Sequence, residues 1–142
     1  MNNKGWIKIM EASIAILLII GIVLIIINQQ YSSKEDISTN IYRAEVSILR
    51  EIQLNDSLRE DILTVGELPI YWGDVNFPPD VRKNIQERKP EYLDCVASIC
   101  EVNDVCYLDQ YPEKDTYAQS VIITSNLETY DPKQLKIFCW VK

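Results

Sequence analysis

Four residues of this chain have obvious chemical potential: Cys95, Cys100, Cys106 and Cys139. A thiol can close a disulfide, ligate a metal or act as a nucleophile. An even count in a segment outside the cytosol points to disulfides. Four cysteines allow three pairings, and sequence alone does not choose among them, although geometry prefers one. A turn over residues 102–105 would set Cys100 opposite Cys106, leaving Cys95 to join Cys139 across strands. The second bridge closes a loop of about 45 residues, which a chain-entropy model values at roughly 4 kcal/mol, against roughly 2 for the first. A zinc site is the competing use. Zinc ligands usually come in pairs two to four residues apart. Here four residues separate Cys95 from Cys100, five separate Cys100 from Cys106, and Cys139 stands alone. Thiol catalysis has even less support, because there is no Cys-x-x-Cys pair and no histidine to act as base.

The other chemistry-bearing patterns are thin. Without histidine the chain lacks the commonest general base near neutral pH and the commonest metal ligand. Its four glycines are too few and too scattered for a phosphate-binding loop. The acidic residues between Glu101 and Asp109 read as a solvated loop. Neither a cofactor nor an enzymatic activity is expected. Two surface features remain. Asn55-Asp56-Ser57 is an N-glycosylation triplet, meaningful only outside the cytosol. Tyr71, Trp72 and Phe77 lie in a Gly- and Pro-rich stretch, 66–79, that reads as an ordered loop. They could form a ligand platform, although such aromatics more often cover the edge of a small core.

These residues need elements to hold them. Ala12–Ile27 is apolar or small throughout apart from Ser13. Counted from Trp6, the apolar segment has 22 residues and about 33 Å of helix, enough for a ~30 Å hydrocarbon core. Trp6 and Tyr31 then fall near the two interfaces, where amphipathic rings are favoured. Lys4 and Lys8 precede the run. Removing Lys4, Lys8 and Glu11 from the totals of 14 basic and 21 acidic residues leaves 12 and 20, a net of −8. The positive-inside bias therefore places the N-terminus in the cytoplasm and the acidic remainder outside. That acidity argues against nucleic acid as a partner. No Ala-x-Ala cleavage site follows Ile27, so the helix is expected to be retained.

No Gly or Pro occurs between Ile22 and Val65, and Ile37, Ile41, Ala44, Ile48 and Ile52 keep a helical period. One rod can run from the membrane to about Gln53. Alternatively, Ser32 with Glu35 could cap a separate helix after a hinge. Ser57 with Glu60 fits the cap of a short helix ending at Leu63, and Pro79 suits the first turn of another, Asp80–Arg88. Strands are expected at Tyr92–Ile99, Val105–Leu108, Ala118–Ser125 and Leu135–Val141, with a turn at Asp131-Pro132-Lys133.

The opening Lys4-Gly5-Trp6-Ile7-Lys8-Ile9-Met10-Glu11, running into a hydrophobic helix, resembles the class III signal of type IV pilin-like proteins and is most similar to archaeal members. The resemblance covers about thirty residues. It implies that a prepilin-type peptidase cuts between Gly5 and Trp6 and leaves the helix on the mature chain. It also implies that Glu11 meets the new terminal ammonium of a neighbouring subunit. A plain uncleaved signal anchor is the alternative, with Glu11 simply lying at the interface near Lys8.

The expected fold is α+β: a long N-terminal transmembrane helix packed on a small antiparallel sheet, as in pilins. The expected organisation is a leader at 1–5, a membrane or filament-core helix at 6–30, and an extracytoplasmic disulfide-bonded domain at 31–142. The expected role is a pilin-like structural subunit or minor surface protein, with lipid, the peptidase and like subunits as partners. A monomeric membrane-anchored binding module and an accessory subunit of a membrane complex are the alternatives.

Overall fold

An uninterrupted stretch without Gly or Pro has no local reason to leave the helix, and helix α1 runs Asn3–Leu54, 52 residues. A computed structural model describes the backbone of residues 3–124 and 131–142, and the side chains of residues 6–27, 37–124 and 131–142. The separate start at Ser32 is not used; the backbone there is helical, each amide finding the carbonyl four residues back. The chain divides into two compact units, Met1–Thr39 and Asn40–Lys142.

The second unit contains the last turns of α1 and everything after them. Asn55 follows α1 in an extended conformation and caps α2, Asp56–Leu63. Its Oδ1 accepts the amides of Ser57 (3.1 Å) and Leu58 (3.4 Å). Ser57, expected as the cap, is instead a capped residue, because Asn55 already supplies the acceptor at the end of α1. Helix α3, Pro79–Arg88, opens with Pro in its first turn, where the missing amide costs nothing. Four antiparallel strands form one sheet: β1 Ile70–Tyr71, β2 Leu93–Glu101, β3 Tyr117–Ile123 and β4 Lys133–Val141, in the order β1-β2-β4-β3.

Strand alternation divides the sheet's faces. Leu93, Cys95, Ala97 and Ile99 of β2, with Leu135, Ile137 and Cys139 of β4, face inward and join Ile41, Ile48 and Ile52 of α1 in one buried cluster. Ile62 of α2 and Val81 and Ile85 of α3 complete it. The first residue of β4 is unusual. Lys133 is buried, and its ammonium donates to the carbonyl oxygens of Leu63 (2.8 Å) and Val65. The Leu63 carbonyl belongs to the unsatisfied end of α2 and Val65 follows it, so the cation serves as a C-terminal cap. Burial holds the Lys133 ammonium pKa below its usual range.

Three of the four expected strands are present. Residues Val105–Leu108 form none, although Cys106 and Leu108 are buried and Tyr107 between them is exposed. The alternation is that of a strand, but β2 already has β1 on one edge and β4 on the other. The segment therefore lies over the outer face instead of extending the ladder. The preceding turn falls at Glu101–Asp104, closed by the Asp104 amide on the Glu101 carbonyl at 3.1 Å, one residue earlier than the sequence suggested.

Candidate functional site

The first unit offers one feature. Trp6–Ile27 is 22 residues with a mean hydropathy of 2.9, and among the described residues it is the one helix long and apolar enough to cross a membrane. Its large apolar side chains are all exposed, from 46 % at Val23 to 68 % at Trp6. So long a greasy surface is unfavourable in water and needs lipid or other helices around it. Glu11 lies one turn into this segment and is exposed. Gly5 and Trp6 both lie in α1; the surroundings of Gly5 fall outside the described residues.

In the second unit all four cysteines are paired as the spacing suggested, Cys95 with Cys139 and Cys100 with Cys106. Register explains the first bridge. Cys95 and Cys139 are directly opposite in the β2–β4 ladder, with Cα atoms 4.2 Å apart, near the spacing of a non-hydrogen-bonded antiparallel pair. The second bridge follows the Glu101–Asp104 turn and ties the segment after it to the outer face. With every thiol used, the cysteines hold the fold and offer neither nucleophile nor metal ligand.

Asn55 is exposed, but its side-chain oxygen is committed to the α2 cap. This separates its two roles experimentally. Asn55→Asp keeps an acceptor at the cap and destroys the glycosylation triplet; Asn55→Ala destroys both. The Ala chain is expected to unfold about 1 kcal/mol more easily, and the Asp chain to match the parent within ~0.5, by urea titration of the unglycosylated protein.

The aromatic loop is pinned from beneath. The guanidinium of Arg82, on α3, donates to the carbonyl oxygens of Trp72 (2.8 Å) and Asp74 (2.9 Å). The same guanidinium stands 5.6 Å from the Trp72 ring centre and 5.4 Å from that of Phe77. The Asp74 carboxylate accepts the Tyr71 amide at 2.8 Å, closing the turn between them. The two rings, Trp72 and Phe77, meet at 5.3 Å and 59°. These contacts split the expected ligand surface. Phe77 is 1 % exposed and belongs to the core, because it points under the loop toward α3. Tyr71 and Trp72 remain half-buried at the surface.

Tyr71 and the adjoining Trp72–Gly73 stretch border a groove of about 460 Å³ on the outer sheet face, while the Trp72 ring packs against the core. Its floor is Val96 and Ser98 of β2 with Trp140 of β4. Tyr107, Asp109, Gln110 and Tyr111, in the segment displaced from the ladder, form the opposite wall. Ser98 is 1 % exposed, and its hydroxyl has no hydrogen-bond partner among the described residues. Sequence reading found one wall of this groove and missed the rest, since the pieces are scattered along the chain. The exposed Tyr107 between two buried residues was the available signal.

One further residue escaped sequence reading. Glu45 of α1 is 1 % exposed, within the helix stripe that meets the sheet, and neither carboxylate oxygen has a hydrogen-bond partner in good geometry among the described residues. Burial pushes its pKa up to about 7, against a small opposing effect of the Cys139 backbone amide. The signal was present: Glu45 lies four residues after Ile41 and three before Ile48, on the apolar face.

The chain matches no family model, no curated protein and no solved structure.

Proposed function

We propose that the protein is a type IV pilin-like subunit, major or minor, of a cell-surface assembly. The observation that carries this reading is the exposed 22-residue apolar segment Trp6–Ile27 at the start of a helix whose last turns belong to a disulfide-bonded α+β unit. On this reading, the segment first anchors the subunit in the membrane, with its N-terminus in the cytoplasm and its second unit outside. A prepilin-type peptidase removes Met1–Gly5, and the apolar segment then buries against the same segment of neighbouring subunits. Glu11 meets the new Trp6 ammonium of a neighbour, neutralising a charge that hydrocarbon would penalise. The role is packing and display, not catalysis, and no nucleic acid takes part.

Intact-mass and N-terminal analysis of protein from the native membrane tests it. The expected mature chain begins at Trp6 and is lighter by the first five residues. A chain that keeps Lys4-Gly5 counts against the pilin class and favours a monomeric, membrane-anchored binding module. The open aromatic groove is the observation that supports this second reading. Filaments seen by electron microscopy, and lost in a Glu11→Ala chain, would separate polymer from monomer.

A further inference from the structure

We propose that the groove on the outer sheet face binds a neutral carbohydrate, specifically a pyranose-containing oligosaccharide. Its volume of about 460 Å³ lies within the ~300–1,000 Å³ usual for small-molecule sites. A pyranose ring presents apolar C–H faces and a rim of hydroxyls. It is recognised by aromatic rings that receive the faces and by polar groups that both donate and accept at the rim. The groove supplies both. Tyr107 and Tyr111, 57 % and 67 % exposed, line it together with Tyr71 and Trp140. Tyr and Trp combine an apolar ring with a polar tip, which suits a ligand that is half apolar and half hydroxyl. Asp109 and Gln110 are adjacent and exposed, one an acceptor pair and the other both donor and acceptor.

The Ser98 hydroxyl is the independent observation. A buried hydroxyl without a partner is unfavourable, and this one belongs to a residue that lines the groove. A ligand hydroxyl that reaches it as the lining side chains shift would relieve it, whereas a purely apolar ligand leaves it unpaired.

Charge counts against anionic ligands. Among the described residues no Lys or Arg lines the groove, while Asp109 does, so an anion lacks a counter-charge. Aromatic walls can also hold organic cations. An organic cation would compete for the same rings, so a quaternary ammonium is the charged probe that matters most. The site is complete within one chain, so it stands whether or not the protein polymerises.

The test uses the full chain carrying Trp6→Phe, so that Trp72 and Trp140 alone report, in micelles of the sugar-free detergent C12E8. Tryptophan emission is followed while maltotriose, cellotriose, chitotriose and mannotriose are added in turn, with tetramethylammonium chloride and sodium sulfate as charged probes. At least one triose is expected to give a saturable change with a Kd of about 0.1–5 mM, and the charged probes none. Tyr111→Ala removes an exposed side chain and is expected to weaken that binding about tenfold with its urea unfolding midpoint unchanged. The proposal is overturned by any of three results: no saturable response to any triose up to about 50 mM, an affinity unaltered by both Tyr111→Ala and Trp140→Ala, or saturation by tetramethylammonium or sulfate in place of a sugar.

Discussion

A chain carrying Cys95→Ala with Cys139→Ala is expected to lose about 4 kcal/mol of unfolding free energy, and one carrying Cys100→Ala with Cys106→Ala only about 2. The difference comes from the unfolded state. Cys95 and Cys139 are separated by 44 residues and Cys100 and Cys106 by 6, so the first bridge removes far more freedom from the unfolded chain. The first pair also joins the two central strands inside the buried cluster, where truncation leaves a small void as well. For a unit of about one hundred residues, whose total stability is on the order of 5–15 kcal/mol, the larger loss is a substantial part of the whole. Urea titration of both double variants in detergent, under non-reducing conditions, measures it. Equal losses, or the reverse order, would show that loop entropy is not what these bridges contribute.

Stability is also expected to fall as the pH rises from about 4.5 to 7. Glu45 has an ordinary carboxyl pKa near 4.5 when the chain is unfolded and about 7 when it is buried in the fold. Between those values the folded state holds a proton that the unfolded state has released, so raising the pH favours unfolding. Its contribution is fully present below pH 4.5 and lost as the pH passes 7. A shift of this size corresponds to roughly 3 kcal/mol. Asp94 does not mask the effect: the Lys89 ammonium, 3.0 Å away, holds its pKa below the usual carboxylate range, so it titrates beneath the window. Glu45→Gln removes the titration while keeping size and polarity. Its unfolding free energy is expected to slope much less than the parent's between pH 4.5 and 7; what slope remains comes from Asp61, whose carboxyl is held above its usual range by partial burial and the nearby Asp80 and Glu60. A parent curve that rises across that window, or a Gln variant with the parent's slope, would mean that Glu45 enters the fold charged.

How much of this was readable in advance differs by element, and range along the chain explains the difference. The helix over Asn3–Leu54 was legible because its causes are local: no Gly or Pro from Ile22 onward and an apolar stripe at helical spacing. Helix α3 was legible from Pro79, and the observed disulfide pairing was the preferred one of three, from the short separation of Cys100 and Cys106, which left Cys95 and Cys139 to each other. Val105–Leu108 was misread because alternation reports that one side of a segment is buried, not that a neighbouring strand is free to pair with it. Phe77 was misassigned because Tyr71, Trp72 and Phe77 look alike in sequence, and only packing in the fold shows Phe77 inside the core, Trp72 half-buried against it and Tyr71 on the outer face.

By itself, the sequence determined the 22-residue apolar segment, the acidic α+β unit and the presence of two disulfides. Each depends on composition or on residues close enough to constrain one another directly. Tertiary structure alone decided that Glu45 would be sealed against the sheet, that Lys133 would cap α2, and that Tyr71, Ser98, Tyr107 and Trp140 would share one groove. Those outcomes depend on which turn of the helix meets the sheet and on the order in which the strands pair. Both are settled by summing many weak contacts between distant residues, and no single stretch of chain contains that sum.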